Sequence, residues 1–245
     1  MPENWFDEEI AATYDEDSAE HFDPDLLATT TAYLAGLAGS GPALELAVGT
    51  GRVALPLASH GIAVSGIELS PAMLARLRSK PGADAVTAVE GDMTTTRVPG
   101  EFRLVYLVYN TIANLTTQDA QVAVFENAAR HLAPGGSFVV EVYPPILRLL
   151  APGDRFHVFA DEPTYHAYDE YADAASQLHW SHHLRLREDG SYRRFSVPFR
   201  YVWPAELDLM ARIAGLRLKE RWADWERAPF TADSEQHVSV WEKPA

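Results

Sequence analysis

The stretch "ALELAVGTGRVALPLA", residues 43–58, constrains this chain more than any other. Ala43–Leu46 reads as a buried strand, Gly49 and Gly51 break it into a tight turn, and an apolar helical run follows. Glycine adopts a left-handed backbone at little cost and lets a ligand come close, and a turn opening a helix can present backbone N–H groups to that ligand. Further strand candidates, Ile62–Ile67, Val86–Val89, Leu104–Tyr109 and Ser137–Val142, alternate with helix candidates at about 50–59, 71–79 and 118–131. Strands separated by helices of this length imply right-handed crossovers and a parallel sheet. Asp23 with Pro24, Ser70 with Pro71, and Thr116 with Asp119 read as helix starts. Pro56 sits inside the first of the three helical runs, where it is expected to kink it.

The rhythm changes after "YPPILRLLAPGD". Residues 155–203 are rich in Tyr, His, Phe and Trp, and "REDGSY" reads as a hairpin turn, so two or three antiparallel strands are expected there. The helix "AELDLMARIAG" stops at Gly215, and two last strands near 216–222 and 237–242 return to the main sheet. The expected organisation is an acidic lid segment (1–22), a ligand-binding core (23–150), an antiparallel lid insertion (151–204) and a closing helix and strands (205–245).

Which ligand the glycine turn holds depends on charge. Gly49, Gly51 and Ala54 satisfy a weak dinucleotide pattern, but Glu45 ends the strand before the turn and Glu68 ends the next one. A carboxylate there repels a pyrophosphate and welcomes an ammonium or sulfonium, and Glu68 can accept from ribose hydroxyls. The expected ligand is a ribose-bearing cation without phosphates. The whole chain carries a formal charge of −15, with 11 acids and no Lys or Arg in residues 1–51. That segment reads most simply as a solvated surface. With no long basic run, nucleic acid is not an expected partner, and no apolar run approaches the ~20 residues of a membrane helix. Without cysteine, disulfides and thiolate metal sites are excluded. "MPENWFDEEI" lacks a basic, signal-like start, and a cytoplasmic monomer or homodimer is expected.

"LELAVGTGRVALPLA", "GIELSPAMLARLR", "EGDMT" and "RHLAPGGSFVVEVY", in this order and spacing, resemble the class I S-adenosylmethionine-dependent methyltransferases of small molecules. The resemblance implies a Rossmann-like, mainly parallel seven-stranded sheet whose last strand inserts antiparallel near one edge. It further implies S-adenosylmethionine as methyl donor and S-adenosylhomocysteine as product. Carried over residue by residue, Glu45 would reach the methionine ammonium through the turn, with the backbone of Ala47, Gly49 and Gly51 beneath the methionine part and ribose. Glu68 would hold the ribose hydroxyls, Leu69 and Met73 would pack on the adenine, and Asp92 would accept from its amino group beside Met93. The family usually has Gly where this chain has Ala47. Tyr14 matches a Tyr-Asp pair that covers the methionine carboxylate and borders the methyl group.

Methyl transfer from a sulfonium is an in-line displacement in which alignment does most of the work. "YNTIANL", residues 109–115, resembles a segment of glycine and sugar N-methyltransferases; Tyr109 would border the cofactor, and Asn114 stands where those enzymes have a histidine. Asn cannot take up a proton, so Asn114 is expected to orient substrate by hydrogen bonding. Arg52 is expected to pair on the helix surface. In "QLHWSHHLRL", alternation puts Trp180, His182 and Leu184 on one face and His179, Ser181 and His183 on the other. His182 is a candidate base or substrate ligand, and Tyr143, Trp180, Arg200 and Trp203 are candidate cavity walls. No metal set is completed. The expected function is N- or O-methylation of a small organic metabolite, in secondary metabolism. The alternatives are a protein that uses the cofactor without transfer and an NAD-linked oxidoreductase.

Overall fold

The computed structural model describes residues 4–245. After helix α1 (Glu8–Asp17), helix α2 (Pro24–Ala38) leads into β1 (Ala43–Leu46), α3 (Ala54–Ser59), β2 (Val64–Glu68), α4 (Pro71–Ser79) and β3 (Val86–Glu90). The chain then crosses back through β4 (Phe102–Leu107), α5 (Gln118–His131) and β5 (Leu132–Val142). Four strands, β6 (Phe156–Glu162), β7 (Tyr165–Asp173), β8 (Leu178–Leu186) and β9 (Tyr192–Arg200), precede α6 (Pro204–Ile213), β10 (Arg217–Trp222) and β11 (His237–Glu242). The main sheet has the order β10-β11-β5-β4-β1-β2-β3. Strands β1 to β5 pair in parallel, and β11 runs antiparallel against both β5 and β10. Because the chain moves outward from β1 in one direction and then returns through β4 in the other, the strand order reverses between β1 and β4. Such a switch point opens a crevice at the strands' carboxyl ends.

Alternation along β1 distributes its side chains between two apolar layers. Leu44 and Leu46 pack with Phe125 of α5 and Leu207 of α6, while Ala43 packs with Leu57 of α3 and Leu77 of α4. The side chain of Glu45 shares the parity of Ala43 and is buried at the sheet centre.

Several local expectations need correction. The first run begins its helix at Ala54, so Pro56 lies in the first turn, where a backbone N–H has no intrahelical acceptor to lose. The α5 cap is Thr117, which accepts from the Ala120 N–H, and not Thr116. Asp23 and Ser70 cap α2 and α4 as the sequence suggests. The aromatic insertion is a four-stranded antiparallel meander, β6-β7-β8-β9, rather than two or three strands. Its outer strand β6 exposes side chains of both parities, Phe156 and Phe159 among them, so no period-two signal marks it.

The acidic N-terminal segment is solvated at Asp7, Glu8, Glu16 and Glu20, but it is more than a solubilising surface. Glu9 pairs with Arg187 and Arg193, Asp17 with Arg185, and Asp15 with Lys80. Arg76 donates to the Ala12 carbonyl and Ser70 to that of Phe6. Helix α1 is thereby clamped between the core and the smaller sheet. At the other side of that sheet the buried Arg200 donates to Gln121 of α5, to Gln177 and to Glu206 of α6.

Candidate functional site

A crevice opens at the carboxyl ends of β1, β2 and β3. Its floor is Ala47, Ile67 and Glu68, with Leu69, Asp92 and Met93 on one side and Thr111, Asn114 and Leu115 on the other. Asn4, Trp5 and Phe6 cross its mouth. Five of the cofactor candidates and Asn114 are thus brought together. Thr111 and Leu115 belong to the segment "YNTIANL" and Asn4, Trp5 and Phe6 to the expected lid, but no signal marked these individual residues as lining the crevice.

The glycine turn departs from a phosphate cradle in one respect that matters. Ala47, Gly49 and Gly51 all take left-handed φ, at 55°, 56° and 82°. For Ala47, which has a Cβ, that conformation costs about 1 kcal/mol. Three of the turn's N–H groups are already used: Val48 donates to the Ile67 carbonyl, Gly51 to that of Val48, and Gly49 to Glu68 Oε2 at 2.8 Å, a carboxylate that would repel a pyrophosphate.

Glu68 also accepts from the Ser70 N–H at 2.8 Å through Oε1. The backbone contacts lock the orientation of the carboxylate. Burial raises its pKa above the usual carboxylate value, and the backbone hydrogen bonds offset only part of that rise. Asp92 uses Oδ1 on the backbone and hydroxyl of Thr94. Asn114 lines the crevice, and its Oδ1 is buried without a hydrogen-bond partner. Met73 is buried, and its Cε lies 3.7 Å from where a Cβ on Gly49 would stand.

Glu45 does not line the crevice. It lies beneath the turn, accepting from the Tyr106 hydroxyl at 3.0 Å, and burial pushes its pKa up to about 8. A buried carboxyl of this kind ionises fully only when a cation comes near. Arg52 is likewise not a surface residue paired with an acid. It donates to the His21 carbonyl, covers the Tyr109 ring at 5.2 Å, and lies within electrostatic reach of Tyr14, Glu45 and Tyr143.

Beside the crevice, Tyr109 and Asn110 hold consecutive left-handed conformations, φ 58° and 54°. Glu141 fixes them, accepting the Tyr109 N–H through Oε2 while its carbonyl accepts the Asn110 N–H. Tyr143 donates its N–H to Asn110 Oδ1. The Tyr109 ring meets His21 at 4.1 Å between centroids, and Tyr14 meets Phe6 at 6.0 Å. Burial raises the pKa of the Tyr14, Tyr109 and Tyr143 hydroxyls, so they stay protonated.

Three candidates lie elsewhere. Arg200 is spent on Gln121, Gln177 and Glu206 at the junction of the sheets and is no cavity wall. His182 is enclosed by Ser196 at 2.7 Å and Glu170 at 3.2 Å, on the strand face opposite the one that reaches α1. Trp203 is 41% exposed at the α6 N-cap and does not line the crevice. Trp180 stays at the rim, edge-on to Trp5 at 6.2 Å. Alternation alone could not tell which face of the smaller sheet turns inward. Among the described residues, no helix is long and apolar enough to cross a membrane, and no group of three or more His, Asp or Glu could hold a metal.

Residues 43–136 match a family model described as a methyltransferase domain. The chain is 38% identical to the CcbJ methyltransferase of Streptomyces caelestis, with a TM-score of 0.88 and 99% of each chain covered. It is 28% identical to the cypemycin N-terminal methyltransferase of a Streptomyces species, over 95% of this chain and 98% of the relative. The fold is shared, at 21% identity and a TM-score of 0.70, with CalS10, an amino pentose methyltransferase from Micromonospora echinaspora involved in calicheamicin biosynthesis. That likeness covers 98% of this chain and 99% of the other.

Proposed function

Since the chain belongs to the class I S-adenosylmethionine-dependent methyltransferases, we propose that it methylates an amine nitrogen of a small natural-product metabolite. The observation that carries the choice of nitrogen is the chemistry of the crevice wall. An alcohol must shed its proton as it attacks, which calls for a base against the reacting oxygen. The acids lining the crevice are Glu68, clasped by Gly49 and Ser70, and Asp92, clasped by Thr94. Asn114 cannot accept a proton, and burial holds the neighbouring tyrosines in their neutral form. An amine, once relieved of its ammonium proton, a far more acidic one than an alcohol's, attacks with its own lone pair and then needs only alignment. The names of two similar proteins, an N-terminal methyltransferase and an amino pentose methyltransferase, support the same choice.

Bound in the crevice, S-adenosylmethionine supplies a methyl carbon activated by a positively charged sulfur. Glu68 would take the ribose hydroxyls. Asp92 and the unpartnered Asn114 Oδ1 would accept N–H donors, the adenine amino group among them, with Leu69, Met73 and Met93 against the ring. Beneath the turn, Glu45 would answer the ammonium, and Arg52 with Tyr14 would take the carboxylate. Helix α1 and the smaller sheet would close over the acceptor as a lid, excluding water.

The test pairs an aromatic or sugar amine with its alcohol analogue. S-adenosylhomocysteine should form one-to-one with an N-methylated product from the amine alone. Methylation of the alcohol in preference, or calorimetric binding of a nicotinamide dinucleotide but not of S-adenosylmethionine, would overturn the reading.

A further inference from the structure

The smaller sheet carries a line of polar groups that the crevice residues do not use. Asp169 of β7 stands directly across from Ser181 of β8, whose hydroxyl favours the charged form of the Asp169 carboxyl. Ser181 Oγ lies 3.2 Å from His183 Nε2, and His183 Nδ1 lies 2.7 Å from the Tyr165 hydroxyl. All four share one face, the face whose Arg185 and Arg193 pair with α1. The His183 ring cannot swing: Phe195 stacks on it at 4.4 Å and 2° between planes, and Phe159 meets it edge-on at 5.7 Å. At the inner end, the Tyr165 hydroxyl is within electrostatic reach of Asp17, Glu20 and Tyr109, beside the crevice.

We propose that Asp169, Ser181, His183 and Tyr165 form a proton wire that recognises a protonated amine acceptor and takes away the proton it must lose. This rests on the amine reading above.

The charge at one end sets the direction of every bond. An ionised Asp169 can only accept, so the Ser181 hydroxyl donates to it. Ser181 Oγ must then accept from His183 Nε2–H. Burial holds His183 at about 4, hence neutral with a single N–H, so its Nδ1 accepts from Tyr165. A lone pair on the Tyr165 oxygen is left over, within electrostatic reach of Asp17 and Glu20, suited to an N–H donor and unsuited to a carbonyl. The transfer balances: the ammonium proton bonds to the Tyr165 oxygen, Tyr165 passes its own to Nδ1, Nε2 passes its own to Ser181, and Ser181 passes its own to Asp169. The amine keeps the electron pair of the broken N–H bond. Asp169, which burial raises to about 6, is a fitting terminal acceptor near neutral pH, and being half-buried it returns the proton to solvent.

The groups facing the wire agree with this polarity. Arg185 covers the Tyr165 ring at 4.3 Å, and its charge is met by Asp17 at 3.1 Å. His182, on the neighbouring position, points to the opposite face and bonds to Ser196 and Glu170. Tyr171, near Asp169, is held protonated by burial.

The experiment uses the full-length protein with ¹⁵N-labelled histidine, saturated with S-adenosylhomocysteine and titrated with methylammonium chloride. His183 should be the Nε2–H tautomer, and methylammonium should shift its Nδ1 resonance. Asp169→Asn should mix the tautomers and raise the titration midpoint roughly tenfold, as loss of one charge-assisted contact requires. Ser181→Ala, which leaves the carboxylate in place, should raise the midpoint similarly and guards against a misfolded Asp169 variant. An Nδ1–H tautomer in the wild type, no response to methylammonium, or equal midpoints in all three proteins would overturn the wire. Failure of the wild type to bind S-adenosylhomocysteine would instead overturn the methyltransferase reading on which it rests.

Discussion

Glu141→Gln tests how the strained corner beside the crevice is held. Tyr109 and Asn110 together store roughly 2 kcal/mol of left-handed strain. Against this, the Glu141 carboxylate accepts the Tyr109 N–H and the Trp225 indole N–H, each at 2.7 Å. A glutamine of the same shape can accept only one of them; its NH2 faces the other as donor against donor. One bond to a charged acceptor is worth about 1.5–3 kcal/mol, so the loss should be about 2–3 kcal/mol. At roughly 2–4 °C per kcal/mol for a chain of this length, the melting midpoint should fall by about 5–10 °C in calorimetry. Tyr109→Gly relaxes the left-handed requirement, so the double variant should recover at least about 1 kcal/mol relative to additivity. A Glu141→Gln protein melting within a degree of wild type, or strictly additive variants, would refute the account.

Three further outcomes follow from the same geometry. Burial lifts the folded pKa of Glu45 to about 8, so the folded state holds a proton that the unfolded chain has released above about pH 4.3. Its stabilising contribution is fully present below that pH and lost as pH rises through 8, so ligand-free Glu45→Gln should gain on wild type across this window in urea titrations. Binding the cofactor's ammonium should expel that proton, and calorimetry at pH 7 in buffers of different ionisation enthalpy should show proton release that Glu45→Gln abolishes. Arg200→Ala removes the buried guanidinium from Gln121, Gln177 and the half-buried Glu206, and should cost about 2–3 kcal/mol in thermal unfolding with little change in cofactor affinity; a merely local surface role would show under 1 kcal/mol. Deleting residues 1–22 removes Phe6, Tyr14 and every α1 contact to the smaller sheet, so turnover should be lost while the core still melts cooperatively; unchanged turnover would make the segment dispensable.

Local pattern alone determined the parallel core. The period-two and helical runs around Gly49 and Gly51, the caps at Asp23 and Ser70, and the carboxylates ending two neighbouring strands are short-range features. Each depends on residues within a few positions of one another, so β1 and the place of Glu68 and Asp92 were legible before any contact was known. What tertiary structure decided were the relations between distant segments. Glu45 ends its strand beside the turn, yet only sheet pairing shows that it lies beneath the crevice and not in it. The acids of α1 look like solvent-facing charge until Arg185, Arg187 and Arg193, some 170 residues away, arrive as partners. Strand alternation separated His182 from His183, but which face turns inward was set by docking against α1. That docking is an energy between surfaces, which no window of sequence contains.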